Sequence, residues 1–126
     1  MDKISTSSED YLEAIVMLGG DCDTHVRAVD IAEKLGVSKA SVSKAISVLK
    51  KKGYVSQPYY GDITLTVEGD EYGRKVLKRH ETLTTFLSKA VGIDPVIAEE
   101  EACMMEHAIS DESFEKWLVF IDSLNL

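Results

Sequence analysis

Residues 26–55, VRAVDIAEKLGVSKASVSKAISVLKKKGYV, decide the fold of this chain. Apolar residues at helical spacing predict a short helix that ends at Gly36, namely Val29, Ile31, Ala32 and Leu35. Ser38 is a good N-cap for a second helix, whose buried side would carry Val42, Ala45, Ile46 and Leu49. Two short helices joined by a tight turn with a glycine form a helix-turn-helix.

The outward face of the second helix carries small hydroxyls and lysines and no acidic residue. Such a face suits a helix in the major groove, where side chains reach base edges and phosphates. The predicted DNA-contacting residues of this module are Arg27, Ser38, Lys39, Ala40, Ser41, Ser43 and Lys44. A generic helical hairpin is the alternative that the pattern leaves open.

A β-hairpin is predicted directly after this module. Residues 54–57 and 63–66 have the composition of short strands, with Pro58, Tyr59, Tyr60, Gly61 and Asp62 between them. A hairpin in this place is the wing of a winged helix. Tyr59 and Tyr60 at its tip would either touch the sugar-phosphate backbone or pack on the hairpin itself.

The charge distribution supports DNA binding in spite of a net charge of −8. Residues 25–62 carry seven Lys or Arg and three acids, whereas residues 1–24 have a net charge of −5 and residues 63–126 of −7. The one basic segment of an acidic chain therefore coincides with the predicted winged helix. This is the footprint of a local phosphate-binding surface.

A second cluster of functional residue types lies in residues 99–107, EEEACMMEH. On a helix, Cys103, Glu106 and His107 stand at i, i+3 and i+4 and share one face. A thiol, a carboxylate and an imidazole together are suited to a divalent transition metal. The alternative is a buried Cys103 with Glu106 and His107 in solvent.

Further donors lie on two other predicted helices. Asp10 and Glu13 are three residues apart on a first helix that Ser7 or Ser8 would cap, although acids there can also merely complement the helix dipole. The apolar stripe of this helix would consist of Tyr11, Ala14, Ile15 and Leu18. His80 lies in the middle of a long helix predicted from Val67 to Ala90, after a Thr66 cap and with Gly69 and Gly73 as weak points.

The last two helices are predicted to begin at Asp94-Pro95 and at Ser110 or Asp111. The final helix is strongly apolar for a terminal segment, which indicates a partner surface. A symmetric homodimer is the simplest solution. Its predicted interface residues are Phe114, Trp117, Leu118 and Ile121.

The length of 126 residues allows one domain or two small modules. No run of about 20 apolar residues is present and the first residues do not resemble a signal peptide, so we expect a cytoplasmic protein without a membrane partner. Cys22 and Cys103 are then expected to be free thiols.

The chain resembles the diphtheria-toxin-repressor family of metal-dependent transcription regulators along its full length. The resemblance rests on TSSEDYLEAI (6–15), the winged helix, KRHETL (78–83) and EACMMEHAISDE (101–112). It implies a mainly α fold, with a winged helix-turn-helix in residues 1–66 and a helical metal-binding and dimerisation region in residues 67–126. It is similar to the short manganese transport regulators, without the C-terminal SH3-like domain of longer members.

By this resemblance the metal ligands are Asp10, Glu13, His80, Cys103, Glu106 and His107. The Asp10/Glu13 pair is similar to the manganese branch, whereas Cys103 resembles the iron branch. Thr84 and Glu99 stand where the iron branch has two ligands of an ancillary site, so that site does not carry over. The implied metal is Fe²⁺ or Mn²⁺, for which Co²⁺, Ni²⁺ or Zn²⁺ would substitute in vitro.

The sequence thus predicts a metal-dependent repressor of metal-homeostasis genes, acting as a homodimer on a palindromic double-stranded DNA operator. No small-molecule substrate is expected. Two alternatives remain: a winged-helix regulator that responds to a non-metal ligand, and a small metalloenzyme. The Glu-x-x-His pairs typical of di-iron bundles are absent from the sequence, which disfavours the enzyme.

Overall fold

The computed structural model describes residues 4–59 and 61–126, and the side chain of Tyr59 is outside what it describes. This described part is mainly α, as predicted, with one small antiparallel sheet and one π-helical segment. Its elements in chain order are α1 (Thr6–Met17), β1 (Val26–Arg27), α2 (Ala28–Leu35), α3 (Lys39–Lys51), β2 (Val55–Tyr59), β3 (Asp62–Leu65), α4 (Val67–Thr85), a π-helical segment (Phe86–Val91), α5 (Pro95–Met105) and α6 (Asp111–Ser123).

The chain forms two compact units, Met1–Lys75 and Val76–Leu126. The division between them falls inside α4. The boundary predicted from the sequence lies between residues 66 and 67, at the start of this helix. We refer to the two compact units as the N-terminal unit and the C-terminal unit.

The predicted helix-turn-helix is present as α2 and α3. Gly36 ends α2 with φ 66°, a left-handed conformation that favours glycine. Ser38 caps α3, because its Oγ accepts a hydrogen bond from the backbone N–H of Ser41 at 3.1 Å. The buried side of α3 consists of Val42, Ile46 and Leu49. Ala45, predicted to be buried with them, is half-buried.

The first helix begins earlier than predicted. Its N-cap is Ser5, whose Oγ accepts from the backbone N–H of Ser8 at 3.1 Å, so the prediction of Ser7 or Ser8 was wrong. The early start agrees with the burial of Ile4 immediately before the cap. Leu12 is fully buried, whereas Leu18 lies past the last residue of the helix and is partly exposed.

The hairpin is longer than predicted, and a third strand joins it. The strand order is β1-β3-β2, with Val26 opposite Ile63 and Val55 opposite Leu65. Pro58 lies within β2, not in the predicted loop; β2 is an edge strand, where a residue without an N–H is tolerated. The strand β1 was not predicted because two residues are too few for a recognisable alternation.

The glycine at position 69 allows α4 to pack on the base of the wing. A Cβ atom there would lie 1.8 Å from the carbonyl oxygen of Tyr54. Thr66 caps α4 as predicted, since its Oγ1 accepts from the N–H of Gly69 at 3.0 Å and donates to the carbonyl of Gly53 at 2.7 Å. Gly69 is therefore a close-packing position rather than only a weak point of the helix.

The long helix predicted to reach Ala90 stops being α-helical at Thr85. A π-helical segment follows and ends at Gly92, which has φ 88°. Hydroxyl groups bond to backbone carbonyls here: Thr84 donates to His80 at 2.7 Å and Ser88 donates to Thr84 at 2.9 Å. Such side-chain hydrogen bonds compete with the regular backbone hydrogen bonds of an α-helix. The spacing of apolar residues in the sequence does not reveal this competition.

The C-terminal unit has its own apolar core, formed by Leu83, Leu87, Ala98, Ala102 and Phe114. Phe86 and Trp117 pack edge to face beside it, with ring centroids 5.9 Å apart. Asp94 caps α5 and Ser110 caps α6, as predicted. Within the described residues, no helix has the length and apolar character required to cross a membrane.

Candidate metal centre and DNA-binding surface

The side chains of His80, Glu106 and His107 converge in the C-terminal unit. His80 projects from α4, while Glu106 caps the C-terminus of α5 and His107 follows it. Nδ1 of His80 lies 3.0 Å from Oε2 of Glu106, and Nε2 of His107 lies 3.2 Å from Oε1 of the same carboxylate. One carboxylate is therefore flanked by an imidazole on each oxygen.

This carboxylate is withdrawn from solvent. The side chain of Glu106 is 0% exposed, and those of His80 and His107 are 11% and 6% exposed. Burial alone raises the pKa of Glu106, but the neighbouring imidazoles of His107 and His80 outweigh it and hold this pKa below its usual range. Glu106 is therefore an anion at neutral pH in spite of its burial.

Cys103 lies on α5, one turn before Glu106, and is half-buried rather than part of the core. One donor atom each from Cys103, Glu106 and His107 lie within 4.8 Å of one another. Glu99 is on the other side of His80, where its Oε1 lies 3.8 Å from Nε2. The C-terminal unit thus brings together all four of its sequence-predicted ligands.

These residues fit a divalent metal ion by an observation of the structure itself. Among the described residues, no group donates a hydrogen bond of good geometry to Oε1 of Glu106, although His107 is close. A buried carboxylate oxygen without such a donor is costly in a protein interior. Imidazole, carboxylate and thiol donors beside it are those that first-row transition metals prefer.

The remaining predicted ligands, Asp10 and Glu13, lie on α1 in the N-terminal unit. Asp10 is half-buried and Glu13 is buried, and their spacing places both carboxylates on one side of the helix. Glu9 between Ser8 and Asp10 is also buried, and its carboxylate accepts a hydrogen bond from the hydroxyl of Tyr72 at 2.7 Å. This bond fixes the start of α1 against α4.

The predicted DNA-contacting residues form an exposed face on α3 and at the end of β1. Ser38, Lys39, Ala40, Ser41, Ser43 and Lys44 are all exposed. The hydroxyl of Ser38 caps the helix. Nε of Arg27 pairs with Oδ2 of Asp30 at 3.3 Å. Of the two wing tyrosines, Tyr60 and the side chain of Tyr59 lie outside the described residues.

The predicted dimer residues differ in their accessibility. Phe114 and Ile121 are buried within the chain, whereas Trp117 and Leu118 are half-buried beside the core of the C-terminal unit. The large apolar side chains that α6 exposes are Val119 and Phe120, which are 74% and 57% exposed. These two residues were not among the predicted interface residues.

Arg79 is the site residue that sequence reasoning missed. It is buried, and its guanidinium donates to the backbone carbonyls of Glu106 and Ile109. Its position next to His80 in KRHETL was the only available signal. A lysine-arginine pair on a helix usually belongs to a solvated face, which is why the pattern did not mark it.

A winged helix joined to a helical unit with a buried His/Glu pair and a half-buried Cys beside it defines the class of metal-responsive DNA-binding regulators. Family models agree: residues 3–62 match the N-terminal DNA-binding domain of the iron dependent repressors, and residues 66–125 match their metal binding and dimerisation domain. The chain belongs to this family, the diphtheria-toxin-repressor family of transcription regulators.

Individual relatives point the same way. An uncharacterised HTH-type transcriptional regulator of Methanocaldococcus jannaschii is 38% identical over 94% of this chain and 95% of its own length. The HTH-type transcriptional regulator MntR of Lysinibacillus sphaericus is 34% identical over 87% of this chain and 78% of its own. A solved manganese-dependent transcriptional repressor in complex with manganese is similar with TM-score 0.76 and 31% identity, over 92% of this chain.

The chain spans about half the length of that solved repressor, 51% of it. The relatives are regulators of transcription, so the prediction of a metal-responsive DNA-binding regulator rather than an enzyme is confirmed. The matching domains also bear out the coarser prediction that DNA and a second copy of the chain are partners.

Proposed function

We propose that this chain represses transcription with Mn²⁺ or Fe²⁺ as corepressor. In this proposal a homodimer binds a palindromic DNA operator in the cytoplasm and controls genes of metal homeostasis. The observation that carries the proposal is the buried Glu106 carboxylate between two imidazoles, with a half-buried Cys103 thiol near Glu106 and His107.

The proposed ligands are Asp10 and Glu13 from α1, His80 from α4, and Cys103, Glu106 and His107 from α5 and the turn that follows it. These residues offer three carboxylates, two imidazoles and one thiol. When bound, a divalent cation supplies the positive charge that lets several anionic side chains remain close together. In the proposed site, the carboxylate charges would repel one another without the cation.

Two features of the N-terminal unit support a link between the placement of α1 and DNA binding. The first helix packs against both α2 and α3, and the bond from Tyr72 to Glu9 ties its start to α4. Asp10 and Glu13 on α1 are therefore mechanically connected to the helix that carries Lys39 and Lys44. The structure supports a mechanism in which fixing α1 fixes the recognition helix.

In a dimer, two recognition helices must match half-sites about one turn of DNA apart. A ligand shifts a two-state equilibrium only by binding one state better than the other. We propose that the metal-bound dimer is the state in which this spacing is correct. The exposed residues of α3 then supply the base and phosphate contacts, with Arg27 and the wing beside them.

The donor set favours two metals over others. Carboxylates favour Mn²⁺, whereas Cys103 and the imidazoles shift the preference towards Fe²⁺ and later metals of the series. The matching family model describes iron dependent repressors, and a similar solved structure is a manganese-dependent repressor. Zn²⁺, Co²⁺ or Ni²⁺ are expected to bind in vitro because affinity in general rises along this series.

Equilibrium dialysis under anaerobic conditions, with Mn²⁺ and Fe²⁺ in parallel, tests the proposal. We expect stoichiometric binding of at least one metal, and weaker binding after Asp10→Ala or Glu13→Ala. Glu33→Ala is the matched control, because Glu33 is an exposed carboxylate on α2 outside the proposed site. A wild-type protein that takes up neither metal would instead indicate a regulator that responds to a non-metal ligand.

A further inference from the structure

We infer that Arg79 is a positioning residue for the metal centre. It holds the segment that carries Glu106 and His107, and thereby sets how tightly these two residues bind a divalent cation. The inference rests on the proposed function, since it concerns the same centre. It adds a residue that does not itself contact the metal.

Arg79 bonds to three acceptors spread over six residues of one segment. Its Nη1 donates to the backbone carbonyl of Glu106 at 3.0 Å and to that of Ile109 at 2.5 Å. Its Nη2 donates to the carboxylate of Asp111. The side chain of Arg79 is only 9% exposed, whereas that of Asp111 is 71% exposed. The bonds to the two backbone carbonyls are therefore better shielded from competing water than the bond to Asp111.

This segment needs an external support because it lies beyond the regular helix. The last α-helical residue of α5 is Met105, Glu106 is the C-cap, and His107 lies in the turn that leads to α6. The final carbonyls of a helix have no partner inside the helix. A cation at a helix C-terminus is also favourable for the helix dipole. Arg79 meets both requirements.

The arginine itself is fixed in place. Its guanidinium carbon lies 4.9 Å from the centroid of the Phe114 ring, and Phe114 belongs to the core of the C-terminal unit. A guanidinium over an aromatic face is held by cation–π attraction. Through Arg79, the segment that carries Glu106 and His107 is anchored to the hydrophobic core.

Arg79 and its neighbour His80 hold the same residue by different groups. Arg79 bonds to the backbone of Glu106, while Nδ1 of His80 lies 3.0 Å from its carboxylate. Two consecutive residues of α4 therefore determine both where Glu106 sits and which way its carboxylate points. Neither contact alone would fix both.

A lysine cannot replace this arrangement. The planar guanidinium presents several donors in a rigid fork, whereas the lysine ammonium is a single flexible point of charge. Residues that orient metal ligands without touching the metal typically alter metal affinity by about 10- to 100-fold when they are mutated. We expect Arg79 to fall in this range.

The test compares Mn²⁺ affinity in wild type, Arg79→Met, Arg79→Lys and Arg74→Met, by competition with a fluorescent chelator. Arg74 is the matched control, because it lies on α4 but is 58% exposed and pairs with Asp70. We expect Kd to rise about 10- to 100-fold for Arg79→Met, to rise less for Arg79→Lys, and to stay unchanged for Arg74→Met. Thermal unfolding of each protein in chelator reports on the fold separately.

A purely structural role predicts a different pattern. Arg79→Met would then lower Tm in chelator while the folded protein kept the wild-type Kd, and that result would overturn the inference but leave the proposed function intact. If Arg79→Met does not fold, a wild-type Kd in Arg79→Lys overturns it equally. Both proposals would be contradicted if the wild-type protein bound neither Mn²⁺ in this assay nor Fe²⁺ in the same assay under anaerobic conditions.

Discussion

Nδ1 of His80 lies 3.0 Å from Oε2 of Glu106, so an imidazole of α4 and a carboxylate at the end of α5 are paired inside the C-terminal unit. The pairing explains how Glu106 remains charged although its side chain is fully buried. It also leaves the other oxygen of the carboxylate next to His107.

Replacing Glu106 or His107 should abolish the metal response of DNA binding and leave the fold intact. We expect Glu106→Gln, which keeps the shape of the side chain, and His107→Ala to lose metal-induced DNA binding. Mobility shifts at fixed free metal measure the response, and circular dichroism checks the fold. Glu100→Gln is the control, since Glu100 is an exposed carboxylate on the same helix. Wild-type operator binding by the Glu106 and His107 variants would remove these residues from the site.

Lys44→Ala should weaken DNA binding without altering metal affinity. Lys44 is exposed on α3, whereas the proposed ligands of the N-terminal unit lie on α1. Loss of one phosphate contact should reduce the slope of log affinity against log salt by about 1. The comparison is Lys116→Ala, which removes an exposed lysine from α6. An unchanged salt slope would mean that Lys44 does not contact a phosphate.

Gly69→Ala should be strongly destabilising, although alanine is usually better than glycine in a helix. The new Cβ would lie 1.8 Å from the carbonyl oxygen of Tyr54, and backbone on both sides must move. Overpacking of this kind costs about 1–3 kcal/mol or more. Gly73→Ala should cost less, because its nearest atom, at 2.7 Å, is a side-chain methyl group of Val16. Urea unfolding of both variants decides the order.

Tyr72→Phe should lower the free energy of unfolding by about 1–3 kcal/mol, because a buried hydrogen bond to Glu9 is lost. Burial and the bond to Glu9 raise the pKa of Tyr72. The unfolded chain releases the phenolic proton of Tyr72 at about pH 10, whereas the folded state keeps it. The free energy of unfolding therefore falls as the pH rises above this value. Unfolding measured between neutral and alkaline pH should show a shallower decline for Tyr72→Phe. An equal decline in both proteins would contradict this role of Tyr72.

Local signals predicted much of the N-terminal unit. Gly36 and Ser38 mark the helix-turn-helix because a left-handed residue and an N-cap are properties of the backbone nearby. The π-helical turn after Thr85 and the strand β1 escaped prediction, since each depends on hydrogen bonds that the apolar pattern does not record.

The candidate site was predictable in its residue types but not in its support. Cys103, Glu106 and His107 stand out by spacing, whereas His80 lies on another helix and no local spacing joins it to them. Arg79 was not predicted at all, because its role depends on the fold of residues 106–111 onto α4. A burial-driven role of a charged residue has no local pattern.

The central claim is that a divalent cation controls DNA binding. The direct measurement is the affinity for a DNA fragment selected from a random pool in the presence of Mn²⁺ or anaerobic Fe²⁺, compared with the affinity of the same protein after rigorous chelation. Couplings of this kind are typically about 5- to 150-fold, and we expect chelation to weaken binding by a factor in that range and metal addition to restore it. Equal affinity with and without metal would contradict the account.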